Sequence, residues 1–282
     1  MIEEKIVIRT EMIHDDMLID INHVLRDKMG EKSRILPGIV IRYLEKIIHQ
    51  KEINDLIISG EGKTGYEFCE HVLQSLDISL SVKGEHNLPD SYNNVFVSNH
   101  PLGGPDGLAL GMLLGQKYDG RIKLLVNDLL MSVKVLAPLF VPVNKTGAQS
   151  RALPKLVDNT FSSNNNILMF PAGLCSRRVK GVVKDLPWSK TFVAKSVLFK
   201  RDVVPIRFDG RNSGFFYGLA NVNKAIGLRF NLAMLFLADE MFKNRGKTFN
   251  VIIGEPLSWR YFDKSKSVSG WAEHIQNMVY SL

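Results

Sequence analysis

The stretch Val95-Phe-Val-Ser-Asn-His-Pro-Leu-Gly-Gly-Pro-Asp-Gly107 decides how this chain is read. Val95 to Val97 are β-branched or aromatic and predict a short strand. Pro and Gly then turn the chain, and Leu108 to Leu114 predict an apolar helix. In α/β folds, a strand that ends in a polar turn before a helix is where chemistry is placed. This turn carries His100 and Asp106, with Gly103 and Gly104 between them. The glycines let the loop fold back, so that the carboxylate reaches the imidazole. A carboxylate on one ring nitrogen fixes the tautomer and stabilises the imidazolium. The other nitrogen is then free to take a proton from a hydroxyl or an amine. A loop histidine is also a common surface residue, so the pair alone leaves both readings open.

Downstream and upstream of this stretch, strands alternate with helices. Ile78–Lys83, Ile122–Val126, Leu139–Val143, Ile167–Phe170, Val203–Phe208 and Phe249–Ile253 predict strands. Helices are predicted at Gly65–Leu76, Ala148–Phe161, Ser189–Arg201, Leu228–Phe242 and Ser267–Leu282. Thr64, with Glu67 three residues on, predicts a capping box, and Pro154 a kink or a boundary. Before residue 60 the chain is mostly helical. Ile35–His49 has helical apolar spacing with Pro37 near its start, and Asn54–Ser59 is a short apolar patch. The expectation is an α/β fold with a mostly parallel central sheet flanked by helices. It divides into an N-terminal helical segment, 1–60, and one domain, 61–282.

Composition narrows the class. With 282 residues, 45% of them hydrophobic, the chain can bury a sizeable core. The opening Met-Ile-Glu-Glu-Lys predicts no signal peptide. No apolar run reaches the ~18 residues of a membrane-spanning helix, because Leu124–Val143 is interrupted by Asn127, Asp128, Ser132, Lys134 and Pro138. Two cysteines, Cys69 and Cys175, have no ligand spacing and fit a reducing compartment. Residues 176–211 hold ten Lys or Arg against three Asp, which equals the whole net charge of +7. A local basic field predicts an anionic partner. Ser59-Gly-Glu-Gly-Lys-Thr64 ends like a phosphate loop, but Ile57 stands where the first glycine is required.

Three strand ends carry polar or basic residues: His100 and Asp106, then Lys145, then Ser176, Arg177 and Arg178. Carboxyl ends of parallel strands face one crevice, so a base and cations for an anionic group are expected together. Backbone N–H groups of the Gly173 loop are candidates to face an oxyanion. The absence of a Gly-x-Ser-x-Gly elbow argues against a serine acyl-enzyme. No His, Asp and Glu cluster has metal spacing.

Four ordered blocks carry a resemblance: Asn99-His-Pro-Leu-Gly-Gly-Pro-Asp106, Leu139-Phe-Val-Pro-Val-Asn-Lys145, Phe170-Pro-Ala-Gly-Leu-Cys-Ser-Arg177 and Val204-Pro-Ile206. Together they resemble the motifs of the glycerolipid (lysophospholipid) acyltransferase superfamily. The first block has five residues between His and Asp, where the family usually has four. The third lacks the usual Glu and Thr, and the second ends in Lys145 rather than Arg. Pro187-Trp188 and Phe208-Asp-Gly-Arg-Asn-Ser213 resemble the hemolysin-like, ornithine-lipid-type branch.

The resemblance spans about residues 80–255 and implies an O-acyltransferase, its domain taken as 61–282. His100 would be the general base, oriented by Asp106. Asn99, Gly103, Gly104, Lys145, Pro171, Gly173, Ser176, Arg177 and Arg178 would bind substrate. The donor would be a thioester of acyl carrier protein or coenzyme A, with no metal or other cofactor. The acceptor would be the 3-hydroxyl of an N-acyl amino acid lipid precursor of the ornithine- or glycine-lipid type. Lysophosphatidate is the alternative acceptor; a thioesterase and a non-catalytic lipid-binding protein are the other readings. The chain is expected in the cytoplasm, peripheral on the inner face of an anionic membrane, with no nucleic-acid partner.

Overall fold

A computed structural model describes residues 17–30, 36–144, 153–225 and 232–282. Its centre is β2 (Asn94–Ser98), buried at every position. Such a strand needs apolar residues on both faces, and it has them: Val95 and Val97 point into one core, Phe96 into the other. Around it lie β1 (Ser79–Lys83), β3 (Ile122–Asn127), β4 (Phe140–Asn144), β5 (Asn166–Met169), β8 (Asp202–Phe208) and β9 (Thr248–Ile253). The seven strands take the order β1-β9-β8-β2-β5-β3-β4. All neighbours pair in parallel except β8 and β9, which are antiparallel. The fold is therefore α/β with a mostly parallel sheet. β1 and β9 run against the other five strands. The carboxyl ends of β2, β3, β4, β5 and β8 thus share one edge.

Helices cover both faces. On the Phe96 side, Gly65–Ser75 and Pro105–Lys117 supply Phe68, Val72, Leu110 and Leu114. On the Val95 side, Thr191–Phe199 and Val268–Ser281 supply Phe192, Val193, Ile275 and Val279. Gly115 and Tyr66 mark a close helix crossing: a Cβ on Gly115 would meet Tyr66 Cβ at 2.2 Å. The N-terminal helix Gln50–Ser59 joins the Phe96-side core through Ile57, Ile53 and Leu56, and Gly38–Ile47 packs against it. Asn54 fastens the preceding segment by bonding both the N–H and the carbonyl of Ile19, at 2.8 and 2.9 Å.

Several local expectations change. The Asn54–Ser59 patch is the end of a helix, not a separate element. Thr64 holds the N-cap position, but its side chain makes no capping bond. Pro154 lies in the helix Leu153–Ser162, and the earlier part of the helix expected there, 148–152, lies outside the described residues. Of the helix expected over 228–242, the described residues form a 3₁₀ segment, Leu232–Phe236, and a short helix, Leu237–Phe242, while 228–231 lie outside the described residues. Gly214–Ala225 forms a helix where none was expected. The loop after β5 runs into a hairpin of β6 (Arg177–Val179) and β7 (Val182–Lys184). Among the described residues no helix is long and apolar enough to cross a membrane.

Candidate active site

β2 ends at Ser98, and the next turn delivers His100 to the shared edge of the sheet. Asp106 is the second residue of helix Pro105–Lys117. His100 Nδ1 and Asp106 Oδ2 are 3.1 Å apart. The carboxylate also accepts from the backbone N–H of Leu102 at 3.0 Å and of Gly107 at 2.9 Å. Gly103, at φ +92°, makes the fold-back. A Cβ there would meet only the flexible end of Leu237, Cδ2 at 2.8 Å, so it is the backbone conformation that calls for glycine. The His100 ring stacks on Phe170, centroids 4.0 Å apart. Asp106 is fully buried, whereas the His100 side chain keeps 16% of its surface.

Burial alone would depress the His100 imidazole. The charge of Asp106 and its hydrogen bond outweigh burial, Asp185 adds in the same sense and Arg177 opposes, so the ring is held above the ordinary histidine value. Asp106 is the complement. Burial pushes it up, but His100 and the backbone donors pull its carboxyl below the usual range. This is an imidazole whose Nδ1 is fixed by an ionised carboxylate. Its Nε2 has no protein hydrogen-bond partner among the described residues.

A second buried carboxylate, Asp185, lies behind the histidine. The His100 backbone N–H donates to it at 3.2 and 3.3 Å, the Ser176 hydroxyl at 2.5 Å and the Trp188 indole at 2.9 Å. Ser176 N–H returns a bond to the His100 carbonyl at 2.7 Å. Asp185 was missed in the sequence because nothing local marks it. Its partners come from loops that only the fold assembles.

His100 opens into an apolar cavity of about 920 Å³, within the ~300–1,000 Å³ usual for small-molecule sites. Gly103, Gly104, Pro171 and Gly173 share its wall, as do Leu108, Phe140 and Met241. Other candidates are used differently. The Asn99 amide is taken up by the backbone of Phe208, at 2.8 Å in both directions, which ties β2 to β8. The Ser176 hydroxyl is committed to Asp185. Arg177 donates to the Cys175 carbonyl at 2.7 Å and lies over the Phe216 ring, and Arg178 lies over Tyr217. These four residues do not line the cavity. Lys145 lies outside the described residues. Burial pushes the Cys175 thiol up to about 11 against the pull of Arg177, so it is not a thiolate near neutrality.

An acyltransferase family model matches residues 23–282. The chain belongs to this family. The acyltransferase is 55% identical over 265 residues to a lyso-glycine lipid O-acyltransferase of Bacteroides thetaiotaomicron, which covers 94% of this chain and 97% of that protein. It is 53% identical over 265 residues to a second protein of that name from Phocaeicola vulgatus, covering 94% and 95%. Among solved structures it is similar to the 1-acyl-sn-glycerophosphate acyltransferase PlsC of Thermotoga maritima. That likeness has a TM-score of 0.45 and 16% identity, over 85% of this chain and 96% of the other. The resemblance read from the four sequence blocks thus places the acyltransferase in the right superfamily.

Proposed function

We propose that the acyltransferase moves a fatty acyl group from a thioester to the 3-hydroxyl of an N-acyl glycine, the lyso-glycine lipid. The observation that carries the chemistry is the buried His100–Asp106 pair facing a 920 Å³ apolar cavity. The acceptor is inferred from the relatives' name, and it narrows the ornithine-or-glycine expectation to glycine.

In this reading His100 Nε2 takes the proton of the acceptor hydroxyl as its oxygen attacks the thioester carbonyl. The tetrahedral adduct collapses, the C–S bond breaks and the thiolate takes the proton from the imidazolium. An ester and a free thiol result. Asp106 holds the tautomer and stabilises the imidazolium while it exists. The apolar wall takes acyl chain and excludes water, which favours transfer over hydrolysis.

The test is purified enzyme with acyl carrier protein and coenzyme A thioesters, each offered N-(3-hydroxyacyl)glycine, lysophosphatidate or no acceptor. Ester formation on the glycine lipid is expected. Acylation of lysophosphatidate alone would replace the acceptor. Thiol release at the same rate without acceptor would make the protein a thioesterase.

A further inference from the structure

The β6–β7 hairpin pairs Arg177 with Lys184, Arg178 with Val183 and Val179 with Val182. Lys180 and Gly181 make its two-residue turn, at φ +50° and +83°. Positive φ at both central residues is what a type I′ turn demands, and that turn matches the twist of the strands. Val179 and Val182 therefore stand side by side on one face of a stiff tip. They are 57% and 64% exposed. Lys180 and Lys184 beside them are exposed as well.

The hairpin lies along helix Gly214–Ala225. Asn221 Nδ2 donates to the Arg178 carbonyl at 3.3 Å, and the Arg178 guanidinium sits 5.8 Å from the Tyr217 ring centre. This helix turns Phe215 and Val222 outward, 57% and 56% exposed. Seven residues apart, they fall on one stripe. Phe215 packs edge-on to Phe236 at 5.2 Å, and Met234 and Leu235 of the same 3₁₀ segment line the cavity. The hairpin packs on this helix, and the helix packs on the segment that lines the cavity, so the three are consecutive neighbours.

The basic stretch read from the sequence does not act as a whole. Arg201 is buried, giving its guanidinium to the carbonyls of Phe161, Ser163 and Asn165. Arg207 pairs with Asp209 and Lys195 with Asp158. Lys180 stays at the tip, and Lys184, also exposed, lies 5.1 Å from the Tyr280 ring centre and donates to Asn277 at 3.5 Å. Cations interleaved with exposed aliphatic and aromatic side chains fit the headgroup boundary of a bilayer.

We propose that the Arg177–Lys184 hairpin and the Phe215–Val222 stripe form a docking surface for anionic membranes. Val179, Val182, Phe215 and Val222 enter the acyl layer, and Lys180 and Lys184 meet the headgroups. The proposal rests on the lipid-acceptor reading only for its purpose, which is to hold the cavity at the membrane that supplies acceptor.

The experiment is sedimentation of the full chain with vesicles of phosphatidylcholine, and with vesicles of equal parts phosphatidylcholine and phosphatidylglycerol. Binding should favour the anionic vesicles and weaken with salt. Lys180→Gln/Lys184→Gln should lose on the order of fivefold per lysine. Val179→Thr/Val182→Thr keeps strand-forming side chains and should lose about tenfold. Phe215→Ser/Val222→Thr, on a different element, should lose a similar factor. All three variants should keep wild-type turnover of detergent-solubilised acceptor. Vesicle binding unchanged in every variant overturns the proposal. So does loss of binding to purified acyl carrier protein with vesicle binding intact. If the wild type binds vesicles but does not acylate lyso-glycine lipid, the functional reading fails and the docking surface stands.

Discussion

The backbone N–H of His100 donates to both carboxylate oxygens of Asp185, 85 residues further along the chain. Asp185 also receives Ser176 and Trp188, so one buried carboxylate locks the histidine turn to the loop after β5. Asp185→Leu leaves those donors without an acceptor. Stability should fall by about 1–3 kcal/mol per orphaned group, read as a lower denaturation midpoint. Asp185→Asn keeps one acceptor oxygen and should fold better. Its kcat should still drop more than its KM changes, because the histidine is misplaced rather than the acceptor site lost. An unchanged kcat in a folded Asp185→Asn enzyme would remove Asp185 from the positioning of His100.

His100→Ala should lower turnover by a factor on the order of 10²–10⁴. The far-ultraviolet dichroism spectrum should stay that of the wild type, since the ring touches Phe170 but closes no core. A near-normal rate in the folded variant would move the base elsewhere.

The pH profile has a definite sign. His100 works as a base when neutral, and Asp106 holds its pKa above the ordinary value, about 6.5. The kcat/KM should therefore climb with pH through a midpoint above that value and level off beyond it. Asp106→Asn removes the charge that raises the ring. Its limb should move to lower pH while its plateau falls by about 10²–10⁴. An acid limb at the same pH in both enzymes would show that another group controls it.

Gly115→Ala tests the scaffold without touching the site. The added methyl would lie 2.2 Å from Tyr66 Cβ, an atom at the root of its side chain that has little room to move. Overpacking of this kind costs about 1–3 kcal/mol. Urea unfolding should show that loss, with KM for the acceptor unchanged in the remaining folded enzyme.

The parts of the molecule legible in the sequence are those whose cause is local. Buried parallel strands read as short apolar runs, and so β2, β3 and β5 stand within a residue or two of their expected places. The His100–Asp106 pair is legible because one turn holds both residues. Helix Gly214–Ala225 was not, since its two glycines and two asparagines blur the period while Phe216, Tyr217 and Ala220 bury only against neighbouring segments. The hairpin left a clue in Lys180-Gly181 between β-branched residues. Arg201 was counted with the surface charge, although a left-handed Lys200 at φ +53° turns the chain there and Arg201 is buried. Asp185 had no local signature at all.

The reversed β1–β9 pair offers the experimenter a handle. Since β1 runs against β2, their connection at residues 84–93 falls at the edge of the sheet away from His100. Asp90, whose side chain is 96% exposed, stands on that connection. A fluorophore or an immobilising tether placed at Asp90 would report on the enzyme, or hold it to a sensor, while the catalytic edge stays open to lipid.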